Sequence, residues 1–220
     1  MSEPMLRIED IAGGIRCIGL DRAAKRNAIG VEMTLALEDI LVKTKHDARI
    51  HTLVFHAIGG HFSAGMDMKD FFDSSTRSAD ELRRARAATE HWRTRLLREM
   101  PQTIITAVQG YCFGGALPIL ESSDIVIAGQ ETRFGMPEIN FGFVPGAQIV
   151  KAAGNTMTPR GLAYAALTGR PFDAERGRLW GLVTEVVEGD PFGHALALAK
   201  AMAARRAAQG SFTLPAADLM

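Results

Sequence analysis

Gly110-Tyr111-Cys112-Phe113-Gly114-Gly115-Ala116-Leu117-Pro118 is the stretch on which the reading of this chain turns. It is apolar, carries three glycines, and joins a β-like run, Thr103 to Val108, to a short helical run, Leu117 to Leu120. Without a Cβ, glycine lets a backbone turn sharply or approach a ligand closely. A helix starting here aims its free N–H groups, and the positive end of its dipole, at whatever lies above Gly114-Gly115. That describes an anion or oxyanion site. The same glycines also suit a plain strand-to-helix turn, and the stretch alone does not separate the two.

Upstream, Leu6-Arg7-Ile8 and Ile15-Arg16-Cys17-Ile18 flank Gly13-Gly14 as a β-hairpin, and the polar Asp21 to Ala28 reads as a loop. Val31, Leu35, Leu37, Ile40 and Leu41 mark a helix to about Lys45, and Thr52 to His56 a buried-type strand. His61 to Lys69 is a loop of small residues around Gly65. Ser78, with Glu81 three residues on, opens a long helix that Pro101 ends. Downstream, Asp124 to Ala128 is a strand, and Phe134 to Gly146 is a Gly/Pro-punctuated loop with a single acid, Glu138. Thr158-Pro159 and Asp173 start two helices, stopped by Gly169 and before Gly181. Leu182 to Val187 is strand-like, Phe192 to about Ala208 is an Ala-rich helix, and Ser211 to Met220 looks loose. Strands and helices interleave throughout, so the fold class is α/β.

Composition excludes several classes. The 220 residues, 47% hydrophobic, suffice for one sizeable core. Lys+Arg and Asp+Glu both total 25, so the basic excess of a nucleic-acid binder is absent. The Arg-rich run Arg83 to Arg98 is interleaved with acids and apolar residues and reads as a solvated helix face. Cys17 and Cys112 sit in apolar contexts and read as reduced packing residues. With no signal-peptide pattern and no membrane-length apolar run, the expectation is a soluble, cytoplasmic protein. The six histidines show no metal-ligand spacing, His61 alone bordering a candidate loop, and neither a GxSxG elbow nor a P-loop occurs.

Two glycine-centred turns and one carboxylate remain. Ala64-Gly65-Met66-Asp67 and Gly114-Gly115-Ala116 each follow a β run. Two such turns supply one backbone N–H apiece to a single oxygen, an arrangement that stabilises an oxyanion. Glu138, among Phe134, Met136, Pro137, Ile139 and Phe141, is expected to be partly desolvated, with its pKa raised toward working pH. A surface salt bridge is the other reading of Glu138.

Four ordered blocks, DRAAKRNAI (21–29), HFSAGMDMKDF (61–71), GYCFGGALP (110–118) and FGMPEINFGFVPGA (134–147), resemble the enoyl-CoA hydratase/isomerase (crotonase) superfamily. AGMDxK, CFGG and EIN-aromatic-Gly are similar to the hydroxycinnamoyl-CoA (feruloyl-CoA) hydratase-lyases in particular. The resemblance implies a crotonase-like spiral of ββα units over residues 1–190. Residues 191–220 are then a short C-terminal helix and tail, a reduced trimerisation segment. It implies a thioester carbonyl held between the N–H groups of Met66 and Gly115. Lys25 and Arg26 would lie near the CoA phosphates, and the backbone from Ala64 through Gly65, Asp67 and Met68 to Lys69 near adenine and pantetheine. Asp67 itself reads as a structural turn acid.

Members of this superfamily use up to two carboxylates. Glu138 holds the second position, and Pro118 stands at the first, in the helix after Gly114-Gly115. Proline carries no titratable proton, so a two-glutamate mechanism is ruled out at that position. Phe71 stands where the lyases carry a phenol-binding tyrosine, and Phe141 is the aromatic beside Glu138. The implied activity is a hydratase or hydratase-lyase on an enoyl- or aryl-enoyl-CoA, with Δ3,Δ2-enoyl-CoA isomerase and a catalytically degenerate CoA-binding scaffold as alternatives. The implied partner is an acyl-CoA thioester, with CoA as part of the substrate, no tightly bound cofactor, no metal, no nucleic acid and no membrane. A homotrimer or dimer of trimers is the implied assembly.

Overall fold

A computed structural model describes residues 5–72, 75, 77–142, 145 and 153–208. The chain enters through a hairpin, β1 (Leu6–Ile11) and β2 (Ile15–Leu20), turned by Gly13 and Gly14 at φ +92° and +72°. A 3-10 turn (Ala23–Lys25), α1 (Val31–Lys45), β3 (Thr52–Ala57), α2 (Met68–Phe72) and α3 (Ala79–His91) follow. Helix α3 runs into a π turn (Trp92–Leu96) and a 3-10 turn (Leu97–Glu99) before β4 (Thr103–Val108). Next come β5 (Tyr111–Phe113), a 3-10 turn (Gly114–Ala116), α4 (Leu117–Glu121), β6 (Ile125–Gly129), β7 (Arg133–Gly135) and a 3-10 turn (Pro137–Phe141). After these come α5 (Pro159–Thr168), β8 (Phe172–Asp173), α6 (Ala174–Leu179), β9 (Glu185–Val187) and α7 (Pro191–Ala208).

The strands build a six-stranded sheet, β1-β2-β3-β4-β6-β9, parallel except for the β1–β2 hairpin, and a small sheet, β5-β7-β8. The chain spirals between them: β4 gives a strand to the large sheet and β5 to the small one, and β6 and β7 repeat the step. Side chains alternate in the large sheet because the strand period is two. Ile18, Leu53, Phe55, Ile104 and Val108 point to the face shared with α1 and the π turn. Ile15, Cys17, Val54, Ile105 and Ile127 point to the other, which α7 covers with Ala195 and Ala199. Both faces are apolar because both are covered. No helix of the described residues is long and apolar enough to cross a membrane.

The helix caps form as read from the sequence. Ser78 and Glu81 make the capping box, and Thr158 and Asp173 accept from Gly161 and Arg176 N–H. Gly169 closes α5 at φ +61°. Four local expectations change. Met68–Phe72 is a helix rather than a loop, begun by the Asp67 carboxylate accepting from Asp70 N–H (3.2 Å). Tyr111–Phe113 is a strand, not part of a turn, because β7 pairs with it. The Leu182–Val187 strand shortens to Glu185–Val187, since Leu182 and Val183 N–H both turn to the Gly177 carbonyl (2.9 and 3.2 Å). The fourth change concerns Arg93, which is 7% exposed rather than on a solvated face. The wider π turn breaks the 3.6-residue stripe, so the residue after buried Trp92 also faces inward. Residues 143, 144 and 146 of the Glu138 loop and the Ser211–Met220 tail lie outside the described residues.

Asn27 locks the loop after β2 to the loop after β3. It is fully buried at φ +52°, its Nδ2 donates to the carbonyls of Ile58 (3.0 Å) and His61 (2.8 Å), and its Oδ1 accepts from Arg22 N–H (2.7 Å). Asn27→Ala orphans all three partners and is expected to lower stability by about 2–4 kcal/mol in urea titrations. Glu121, 7% exposed on α4, has neither carboxylate oxygen hydrogen-bonded. Burial pushes its pKa from 4.5 up to about 8, against the pull of Arg98 and Arg93. Between those values the unfolded chain has released the proton that the folded one keeps, so stability falls as pH rises. Glu121→Gln is therefore expected to gain on wild type by a few kcal/mol between pH 4.5 and 8, read from melting curves at each pH.

Candidate active site

Three segments leave the small sheet side by side. Ser63 bridges Cys112 in parallel, and Cys112 and Phe113 pair in parallel with Phe134 and Gly135. Two or three residues beyond Ser63 and Cys112 lie Gly65-Met66 and Gly114-Gly115, and four beyond Phe134 lies Glu138. The register, rather than any side-chain contact, brings the three together.

The first segment is held by its own backbone. Ser63 Oγ donates to the Asn27 carbonyl (2.7 Å) and accepts from Gly65 N–H (3.1 Å). Ile29 N–H donates to the Gly65 carbonyl (2.8 Å), and Asp67 N–H donates to that of Ile29 (3.0 Å). Met66 N–H, between them, makes no backbone hydrogen bond among the described residues. Gly115 N–H is likewise free, because it lies in the first turn of its 3-10 helix.

The two turns touch. A methyl group on Gly115 would stand 3.2 Å from the Met66 nitrogen. One on Gly65, at φ +91°, would stand 2.7 Å from the Phe113 carbonyl oxygen and 3.3 Å from the Gly115 nitrogen. Only glycine fits at Gly65, where both the conformation and the space demand it.

Glu138 sits on the 3-10 turn that Gly142 closes at φ +78°. Its Oε1 lies 2.6 Å from where a Cβ on Gly114 would be, so the carboxylate rests directly over that glycine. Its Oε2 is buried without a hydrogen-bond partner. Burial raises its pKa, opposed by a bond to its own backbone N–H and by the charge of Arg93. The turn is fixed from behind by Asn140 Nδ2 donating to the Gly169 carbonyl (3.3 Å).

A cleft of about 620 Å³ runs outward from Met66 and is walled by Lys25, Ala64, Asp67, Met68 and Lys69. Asp67 is occupied structurally: it accepts from Arg22 (2.7 Å) and caps α2. Burial pushes the Asp67 carboxyl up, but these bonds outweigh it and hold it below its ordinary value. Arg77 is likewise paired, with Asp70 (3.1 Å). Lys25 and Lys69 are the cleft's cations without an ion pair among the described residues.

The other expected residues are distributed differently. Arg26 is exposed and does not wall the cleft, contributing its carbonyl to Ala64 N–H (2.9 Å). Phe71 is buried with Val31, Leu82 and Ala85 in a cluster that Met66 joins. Phe141 is 72% exposed at the end of the Glu138 turn. Pro118 is buried in the first turn of α4, where a missing N–H costs little. His61 is stacked on Tyr111 at 4.4 Å.

Two charged residues of this neighbourhood were not singled out from the sequence. Arg93 Nη2 lies 2.8 Å from where a Cβ on Gly115 would be, so its guanidinium occupies the corner between the two turns. Glu121 stands one helical turn after Pro118. Burial lowers the Arg93 pKa to about 10, opposed by Glu121 and Glu138, so it stays charged at neutral pH. The available signal for Glu121 was an acid at i+3 from Pro118. For Arg93 it was a cation immediately after an inward-facing tryptophan.

Known proteins share this arrangement of elements. The chain is 33% identical over 179 residues to hydroxycinnamoyl-CoA hydratase-lyase of Pseudomonas fluorescens, covering 81% of this chain and 65% of that one. It is 28% identical to 1,2-epoxyphenylacetyl-CoA isomerase of Escherichia coli (strain K12), covering 83% and 70%. It thus spans just under two thirds of the hydratase-lyase. The crystal structure of an enoyl-CoA hydratase/isomerase from Marinobacter aquaeolei matches with a TM-score of 0.79 at 28% identity, over 92% of this chain and 76% of that one. The family model described as enoyl-CoA hydratase/isomerase matches residues 10–213, and with the spiral fold just described the chain belongs to that family.

Proposed function

We propose that the chain is an acyl-CoA thioester enzyme, a hydratase or hydratase-lyase acting on an enoyl- or aryl-enoyl-CoA. One observation carries this: two touching backbone turns, each with an N–H free among the described residues, beside the half-buried Glu138, whose Oε2 is buried without a partner. The thioester oxygen accepts from Met66 and Gly115 N–H, and negative charge rests there as the acyl chain becomes an enolate. Glu138 directs water onto the β-carbon, takes its proton, and returns a proton to the α-carbon. Lys25 and Lys69 meet the CoA phosphates, and residues 64–69 carry the pantetheine arm along the cleft. A homotrimer or dimer of trimers is the proposed assembly, and light scattering tests it.

Pro118 favours a second reading, a Δ3,Δ2-enoyl-CoA isomerase in which Glu138 alone shuttles a proton between α- and γ-carbons. Separate incubations decide between them. Loss of the conjugated absorbance of crotonyl- or cinnamoyl-CoA supports hydration, whereas its appearance from a 3-enoyl-CoA supports isomerisation.

Glu138→Gln is expected to lower kcat/KM by about 10²–10⁴ without loss of thioester binding. Unchanged turnover would discard Glu138 as the acid/base. Because burial raises the Glu138 pKa and the base form is the active one, the acid limb of kcat/KM is expected above the ordinary carboxylate value of 4.5. Gly65→Ala displaces one donor turn and is expected to cost about 10²–10³ in kcat, measured beside a melting curve that confirms folding. Lys25→Ala and Lys69→Ala are expected to raise KM with kcat unchanged, an effect that shrinks at high salt.

A further inference from the structure

Arg93 is a buried charge that the proposed reaction does not use. It is 7% exposed, and neither its Nε nor its Nη2 has a hydrogen-bond partner. Its guanidinium stacks over the Trp92 ring, 5.0 Å from centroid to guanidinium carbon, with Nη2 against Gly115. The Trp92 indole N–H beside it is buried and unpartnered too. Among the described residues no carboxylate comes within ion-pair distance of Arg93, although Glu121 and Glu138 are near enough to bias its charge. All of this sits on a π turn, a distortion that costs regular helix bonding and recurs at functional sites.

Burying an unpaired guanidinium is costly, and the cost is recovered when an anion with good geometry arrives. Among the described residues no carboxylate is placed to supply it. Glu138 stands over Gly114 and is committed to proton transfer. Glu121, pushed up to about 8, keeps its proton at neutral pH and offers no negative charge. The groups gathered beside Gly115 are donors: its own N–H, the Met66 N–H and the guanidinium fork. An incoming acyl group therefore meets a surplus of donors and one fixed positive charge close to its thioester carbon.

Resting on the thioester reading above, the geometry points to a substrate whose acyl group ends in a second carboxylate a few carbons from the thioester, bound by Arg93. A planar fork suits a carboxylate bidentately, where a lysine would offer only a point charge. Arg93 lies beside Gly115, one of the two proposed donors to the thioester oxygen, which matches a carboxylate only a few carbons away. The assignment makes Arg93 the residue that determines acyl specificity.

Titration calorimetry with glutaryl-CoA and butyryl-CoA, two saturated thioesters that do not turn over, tests this on the full chain. Wild type is expected to bind glutaryl-CoA about tenfold or more tightly than butyryl-CoA. Arg93→Gln is expected to erase that ratio, and Arg93→Lys to keep only part of it. Glu121→Gln, neutral like the protonated acid, is expected to retain it. Equal affinities in wild type, or a preference that survives Arg93→Gln, overturn the inference while leaving the thioester reading intact. If neither ligand binds, the thioester reading itself falls and takes this inference with it. Should Arg93→Gln fail to fold, the wild-type ratio and the Arg93→Lys ratio still decide.

Discussion

The site depends on one constraint, the in-phase parallel pairing of Ser63, Cys112 and Phe134. Each strand residue in that row fixes how far beyond it the chain must travel before it turns. A slip of one residue would reverse every side chain and separate the two free N–H groups. Everything else serves this row. The buried Asn27 amide anchors the first segment, β4 and β6 deliver the second and third, and the C-cap of α5 supports Glu138 from behind. Because the donors belong to the backbone, no side chain at Met66 or Gly115 needed to be chosen for chemistry. What had to be chosen was the absence of one, at Gly65 and Gly115.

Much of this was legible in the sequence because glycine and proline report backbone conformation directly. The stretch Gly110 to Pro118 announced a turn with free N–H groups, and the structure has that turn at Gly114–Ala116 with Pro118 in the next helix's first turn. Ser78, Thr158 and Asp173 marked helix starts because a cap is a local interaction between neighbours in sequence. The α/β class followed from the alternation of strand-like and helical runs. The family, through four motif blocks in order, was legible for the same reason: each block is a backbone requirement.

What escaped detection depends on distant partners or on broken periodicity. Tyr111–Phe113 becomes a strand only because β7 lies beside it, more than fifteen residues away in sequence. Met68–Phe72 becomes a helix because Asp67, itself held by Arg22, caps it. Arg93 lies in a run whose composition speaks for solvent, and a regular helix would have kept it there. The π turn is a property of packing between α1, α4 and the chain end of α3, and no residue type encodes it. Glu121 follows the same logic: an acid near a helix end is ordinarily exposed, and its burial is visible only once the helix is placed.

The layout of the large sheet has a kinetic consequence. Apart from the β1–β2 hairpin, every neighbouring pair in it is parallel, so each pairing closes a long crossover before it gains a contact. Such non-local pairing is slow, since loop entropy is lost before the contacts reward it. The three segments of the site hang from a second sheet whose strands follow those of the first in the chain. The row that carries the two N–H groups is likewise made only of parallel pairings between residues far apart in sequence, Ser63 with Cys112 and Cys112 with Phe134. No local contact builds this site, so a change that loosens one of those pairings reaches the donors without touching them.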